Sequence, residues 1–298
     1  MCTKGMYESY RLYETNSSIL SYTTKSCVRK WSVPYALNLL SVGAGADRLL
    51  SHHVRGIMGT AASTERVSAH ATYLLNDFLQ LRERYEMLHP MLFDAQVVSQ
   101  YGSSKQARGY IVLRRSLFLS CCQDIAKLVR DSDSNTPSIT RILTDLALPT
   151  IRADLRQRIC DAELSSERLE TDPTLAAIYR AREPDQITKY GAEFDEKYDA
   201  AMTAWEQLQG CAVVKACYTI RNKITAHTEI SRSTYQPIDI STLGITYDGL
   251  KPTIDAMQDL VEMIGGLVRG ASFTWERFNS VMTESAYDFW EDKTRRFT

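Results

Sequence analysis

Downstream of residue 58, apolar positions recur at helical spacing in one block after another. Ser63 or Thr64 is placed to cap a helix that runs to about residue 88 and buries Val67, Tyr73, Leu74, Phe78 and Leu81. His89-Pro90 is expected to end it, because the residue before a proline avoids helical backbone. A second helix is predicted over 105–130, where Leu117, Cys121, Ile125 and Leu128 repeat at intervals of four, four and three. Asp131 to Pro137 reads as a loop whose Thr136-Pro137 step suits an N-cap and first helical turn. A short helix over 138–146 and another over 150–167 should follow.

The stretch 168–188 is polar and weakly patterned, and reads as an excursion between helices. Helical periodicity returns over 187–208, is interrupted at Gly210, and resumes from Cys211 to Ala226. A Ser-, Thr-, Pro- and Gly-bearing loop over 231–249 is the place for any short extended pieces. Pro252 is expected to open the next helix, with Ile254, Met257, Val261, Ile264 and Val268 on one face. A last aromatic-bearing helix should run from Phe273 to Trp290, its stripe serving packing or dimer contacts.

Composition agrees with this all-α reading. In 298 residues there are only 14 glycines and 8 prolines, so long stretches lack helix breakers. A net charge of -1 argues against a generally basic surface that coats nucleic acid, while leaving room for a small basic pocket. No apolar run approaches the roughly 18 to 20 residues needed to cross a bilayer, so no membrane partner is expected. The seven cysteines form no Cys-x-x-Cys pair, and Cys121-Cys122 falls on an apolar stripe where cysteine acts as a small hydrophobe. A reduced, cytoplasmic protein fits that usage.

Residues 1–57 differ from the rest, holding only Glu8, Glu14 and Asp47 as acids and no sustained apolar period. They read either as an organelle-type leader or as an extension upstream of a true start at Met58, and in both cases as poorly ordered. Residues 58–298 form the expected helical domain. Within the leader, His52-His53 lacks a third ligand nearby, and His70 and His89 are expected at the surface or at helix ends. Glu193, Asp195, Glu196 and Asp199 read as a solvated helix face.

One segment carries chemistry. Arg221-Asn222-Lys223-Ile224-Thr225-Ala226-His227 places an obligate cation, a carboxamide and an imidazole within two helical turns. Cleaving a phosphodiester without a metal needs a group to take a hydroxyl proton, a cation to hold the phosphate, and help for the leaving oxygen. His227 suits proton transfer, Arg221 suits the phosphate through its forked donors, and Asn222 can orient either. On a straight helix, positions six apart differ by about 240°, so Arg221 and His227 do not share a narrow face. The helix therefore ends or bends near His227, or a second chain completes the site. Spacing alone leaves a plainer reading open, in which Arg221 and Lys223 are solvated charges and His227 neutralises a helix C-terminus.

Arg221-Asn222 followed by His227 resembles the Arg-Asn-x(4)-His form of the HEPN motif. The helix from Arg114 to Asp131 and the tail Phe273-Thr-Trp275 to Trp290 are similar to the AbiU-type branch, which is associated with abortive infection in bacteria. The likeness runs from about Ser63 to Trp290. It implies an antiparallel helical bundle that forms a homodimer and acts, with no cofactor or metal, as an endoribonuclease on RNA in phage defence. Carried over, Arg221 holds the phosphate, His227 is the acid/base and Asn222 supports them. An antitoxin or other regulator is a further expected partner. HEPN toxins silenced by nucleotide addition often carry a tyrosine two residues after the histidine; Glu229 stands there instead. The alternative is a catalytically inactive HEPN-fold dimerisation or binding module, since fold alone does not prove turnover.

Overall fold

Val67, Ala71, Leu74, Phe78, Leu81, Tyr85 and Leu88 stand three or four residues apart, and all are buried. They make one stripe of helix α1 (Asp47–Phe93) in a computed structural model. The structure describes residues 47–103, 105–225, 230 and 239–291, with side chains from residue 63. The chain divides into Met1–Ser51 and His52–Thr298, and every described side-chain contact lies within the second unit. The leader, including His52-His53, lies outside the residues whose side chains are described.

Beyond α1 come α2 (Ala95–Gly102), α3 (Ala107–Arg130), α4 (Ile139–Leu146), α5 (Pro149–Glu163), α6 (Ser165–Arg168), α7 (Pro173–Gly210) and α8 (Ala212–Ile220). A π turn (Arg221–Thr225) and a 3-10 turn (Ile240–Leu243) precede α9 (Tyr247–Arg269) and α10 (Trp275–Trp290). Every described element is helical, as the scarcity of breakers predicts. Among the described residues no helix is long and apolar enough to cross a membrane.

Directions follow from the contacts. Lys127 reaches Asp77 at 2.7 Å and the Tyr110 hydroxyl donates to the Met91 carbonyl at 2.5 Å, so α1 and α3 run antiparallel. Arg82, buried on α1, pairs with Asp255 of α9 at 2.8 Å. The Glu262 carboxylate accepts from Trp275 Nε1 at 2.8 Å and Gln258 meets Asn279 at 3.3 Å, which sets α9 antiparallel to α10. Arg156 joins Asp195 at 3.2 Å, and Arg168 bridges Asp161 and Glu183, so α7 folds back along α5. A Cβ at Gly191 would overlap the Arg156 guanidinium as it lies here, so a side chain there would displace that flexible tip.

Several boundaries differ from the sequence expectation. Thr64 is fully buried inside α1 and Ser63 is also helical, so neither is a cap. Tyr73 is 61% exposed, because it stands about 100° from Leu74 on the stripe's far side. Pro90 does not end α1. The turn it loosens is held by Trp290 Nε1, which donates to the Met87 carbonyl at 3.1 Å, and the chain then restarts at α2 under the Asp94 cap. Ser138, not Thr136, caps α4, by accepting from the Arg141 N–H at 3.1 Å. The expected excursion is helix: Asp172 accepts from the N–H groups of Thr174 and Leu175, Pro173 sits in the first turn, and α7 continues through Pro184. Thr246, through its bond from the Gly249 N–H, starts α9 ahead of Pro252. Of the expected 231–249 loop, residues 231–238 lie outside the described residues, and the remainder holds the 3-10 turn and the start of α9.

Other expectations hold. Ile254, Met257, Val261, Ile264 and Val268 are all buried, and α7 ends at Gly210. The acidic residues at 193, 195, 196 and 199 are exposed. Trp275 packs edge-on against Phe78 with ring centroids 5.6 Å apart, so this part of the tail stripe belongs to the fold.

Candidate functional site

Helix α8 lies along α3 with their C-terminal ends together. The interface is lined by Cys121, Cys122 and Cys217, all fully buried, whose small side chains let the backbones approach. These are hydrophobic thiols: a hydrogen bond with Cys217 and burial push Cys122 up, and burial pushes Cys121 up. Arg221 closes α8, with helical φ -55 and ψ -51, and the chain then widens into the π turn. The Thr225 hydroxyl donates to the carbonyls of Arg221 at 3.0 Å and Ile220 at 3.4 Å, back-bonding of the kind that bends helices. Ile224 packs on the core and anchors the turn. Over Arg221–Thr225 the chain therefore departs from straight α-helical geometry.

Arg221 Nη2 donates to Asp131 Oδ2 at 3.0 Å, with side chains 32% and 19% exposed. Asp131 ends α3, and its carbonyl accepts a short hydrogen bond from the Ser138 hydroxyl. One step earlier, the Arg130 guanidinium lies 4.9 Å from the centroid of Tyr218, one turn before Arg221 on α8. Nearby, the Thr140 hydroxyl donates to the Val129 carbonyl at 2.5 Å and accepts from Trp205 Nε1 and Gln209 Nε2, each at 3.2 Å. Three helices are thereby tied around the end of α3.

The arrangement holds one guanidinium half-exposed and oriented. Arginine has five N–H donors in a rigid fork, and Asp131 engages Arg221 through one nitrogen. The rest can meet an anion. Asn222 is exposed beside it on the π turn. His227 and Glu229 lie outside the described residues, so of the three predicted site residues the structure places Arg221 and Asn222. Among the described residues, no three His, Cys, Asp or Glu side chains come together as a metal requires.

Sequence reading missed Asp131, Arg130 and Tyr218 as neighbours of the motif. One signal was available: an acid at a helix C-terminus opposes the helix dipole, and a cation from elsewhere commonly compensates it. His70, expected at the surface or a helix end, is instead buried, and among the described residues its Nδ1 has no hydrogen-bond partner. His89 is partly buried between Tyr85 and Phe93, at centroid distances of 5.9 and 5.0 Å.

The family model described as AbiU2, a HEPN family, matches residues 64–289. The chain belongs to the HEPN AbiU2 family. The match covers α1 from Thr64 through nearly all of α10, and so includes Asp131, Tyr218 and the whole motif of this AbiU2 protein. No curated protein and no solved structure matches the chain.

Proposed function

We propose that this AbiU2 protein is a metal-independent endoribonuclease that acts as a homodimer in abortive infection, with Arg221, Asn222 and His227 as its working residues. The observation that carries the reading is the Arg221 guanidinium, half-exposed at a π turn and held at 3.0 Å by Asp131. π turns recur at functional sites, and a guanidinium fixed on one edge meets a phosphate with little further ordering.

In the proposed reaction an imidazole takes the proton of a ribose 2′-hydroxyl, and that oxygen attacks the adjacent phosphorus. The bond from phosphorus to the 5′-oxygen breaks, leaving a 2′,3′-cyclic phosphate on one product. An imidazolium returns a proton to the 5′-oxygen, which becomes a hydroxyl on the other product. Arg221 stabilises the charge that builds on the non-bridging oxygens, and Asn222 orients the phosphate or the imidazole. A second copy of the chain brings two such sets to one cleft.

The test is incubation of the purified full chain with total RNA, followed by analysis of fragment ends. Cyclic-phosphate ends that vanish with His227→Ala support the reading. Intact RNA from a verified dimer overturns it in favour of a binding module, a reading to which the Asp131–Arg221 pair also lends itself, since an ion-paired arginine is a common structural brace.

A further inference from the structure

We propose that Arg130 and Tyr218 form a nucleotide-binding subsite for single-stranded RNA, next to the phosphate position of Arg221. The inference rests on the ribonuclease reading for its location and on its own geometry for its chemistry.

Arg130 and Asp131 are consecutive at the end of α3, while Tyr218 and Arg221 are three apart at the end of α8, hence on one face. The stack and the ion pair therefore lie side by side. They are not equivalent. The Arg221 fork is taken up on one side by Asp131, whereas the Arg130 side chain makes no ion pair or hydrogen bond among the described residues. Among the described residues its specific interaction is with the Tyr218 ring, whose centroid lies 4.9 Å from the guanidinium carbon, and this leaves its N–H donors unspent. The nearest other acid in sequence, Asp133, is turned into its own loop, where its carboxylate accepts from the Asn135 N–H at 2.8 Å. Tyr218 is 39% exposed, so among the described residues part of its ring is open to a ligand.

A planar cation on an exposed aromatic, with free edge donors, has the features by which proteins hold unpaired nucleotides. A base extends the stack over the guanidinium or the ring, and the edge N–H groups fork onto the phosphate. Duplex RNA has its bases paired and cannot supply that stack. The subsite thus selects single strands and sets which nucleotide lies beside the scissile bond.

The experiment measures binding of a short fluorescein-labelled oligoadenylate bearing 2′-O-methyl groups, which no 2′-hydroxyl attack can cleave, to the full chain by fluorescence anisotropy. Arg130→Gln is expected to weaken binding about tenfold and to reduce the slope of log Kd against log salt by about 0.7, the value for one lost phosphate contact on a single strand. Tyr218→Leu should weaken binding without changing that slope, and Tyr218→Phe should bind as wild type. A merely structural brace between α3 and α8 would lower thermal stability and leave the salt slope alone. No binding by wild type, equal binding by all variants, or equal competition by a duplex each overturns the subsite. Cleavage of unmodified RNA separates the two claims. Wild-type cleavage with unchanged KM in the variants removes the subsite and spares the ribonuclease. Arg130-dependent binding without any cleavage does the reverse.

Discussion

Arg221 and Asp131 meet at 3.0 Å although ninety residues separate them in the chain. The pair joins the C-terminal ends of two helices, where Arg221 complements the helix dipoles and Asp131 opposes one. Removing Asp131 therefore acts on Arg221 twice, freeing its fork and releasing its orientation. Asp131→Asn is expected to cost about 1 kcal/mol or less of stability, as partly exposed pairs do. It should lower ribonuclease activity by more than that stability loss explains. Denaturant unfolding beside cleavage rates checks both, and full activity in Asp131→Asn would show that the pair plays no part in positioning.

If Arg221 and His227 work as phosphate grip and proton carrier, each alanine variant should lose RNA cleavage and cellular toxicity by about a hundredfold or more. Neither change should alter the helical circular-dichroism spectrum or the dimer mass, because Arg221 is on the surface side of the core. A chelator should leave cleavage unchanged. Strong inhibition by it would rule out the metal-free mechanism.

The helix faces are legible in the sequence because burial imposes the helical period directly: Cys121, Ile125 and Leu128 are buried on α3, as are Ile254 to Val268 on α9. The prolines mislead. Pro90 and Pro252 read as boundaries, yet both lie inside helices, as does Pro184 in the stretch that reads as an excursion. A proline removes one hydrogen bond, and contacts remote in sequence can hold the helix through it. At Pro90 that support comes from Trp290, two hundred residues away. The site divides in the same manner. Arg221 and Asn222 are visible as a local motif, whereas Asp131, Arg130 and Tyr218 join it only through the packing of α3 on α8.

His70 should make stability depend on pH in the mildly acidic range. Burial and the Arg66 guanidinium hold its imidazole below the ordinary 6.5, with Asp145 opposing and Arg141 adding to the shift. Well above pH 6.5 the imidazole is neutral in folded and unfolded chains alike, and the His70 contribution to stability is at its full value. As the pH falls from there towards the lower folded value, the unfolded chain takes up the proton first and stability declines. Glu83 and Asp124, whose carboxyls are raised mainly by burial, act with the opposite sign, so the wild-type slope alone is no test. The difference in urea midpoint between wild type and His70→Leu should shrink or reverse in favour of the variant on acidification. Parallel curves would show that His70 is not the titrating group.

Two glycines of α9 and its cap should respond to alanine with opposite signs. Gly270 ends the helix with φ 60 and ψ 30, a left-handed conformation that side chains disfavour. Its N–H bonds the Gly266 carbonyl at 3.2 Å and the Ala271 N–H reaches the Gly265 carbonyl at 3.4 Å, so the cap satisfies two carbonyls. A Cβ at 270 would also stand 3.1 Å from Ile159 Cδ1, crowding α5. Gly270→Ala is therefore expected to destabilise the fold by about 1 to 2 kcal/mol. Gly266 lies inside the helix with open space where a Cβ would go, so Gly266→Ala should stabilise by up to about 1 kcal/mol. Thermal unfolding of the two variants decides the matter. A Gly270→Ala midpoint at or above that of wild type would mean that the helix ends differently.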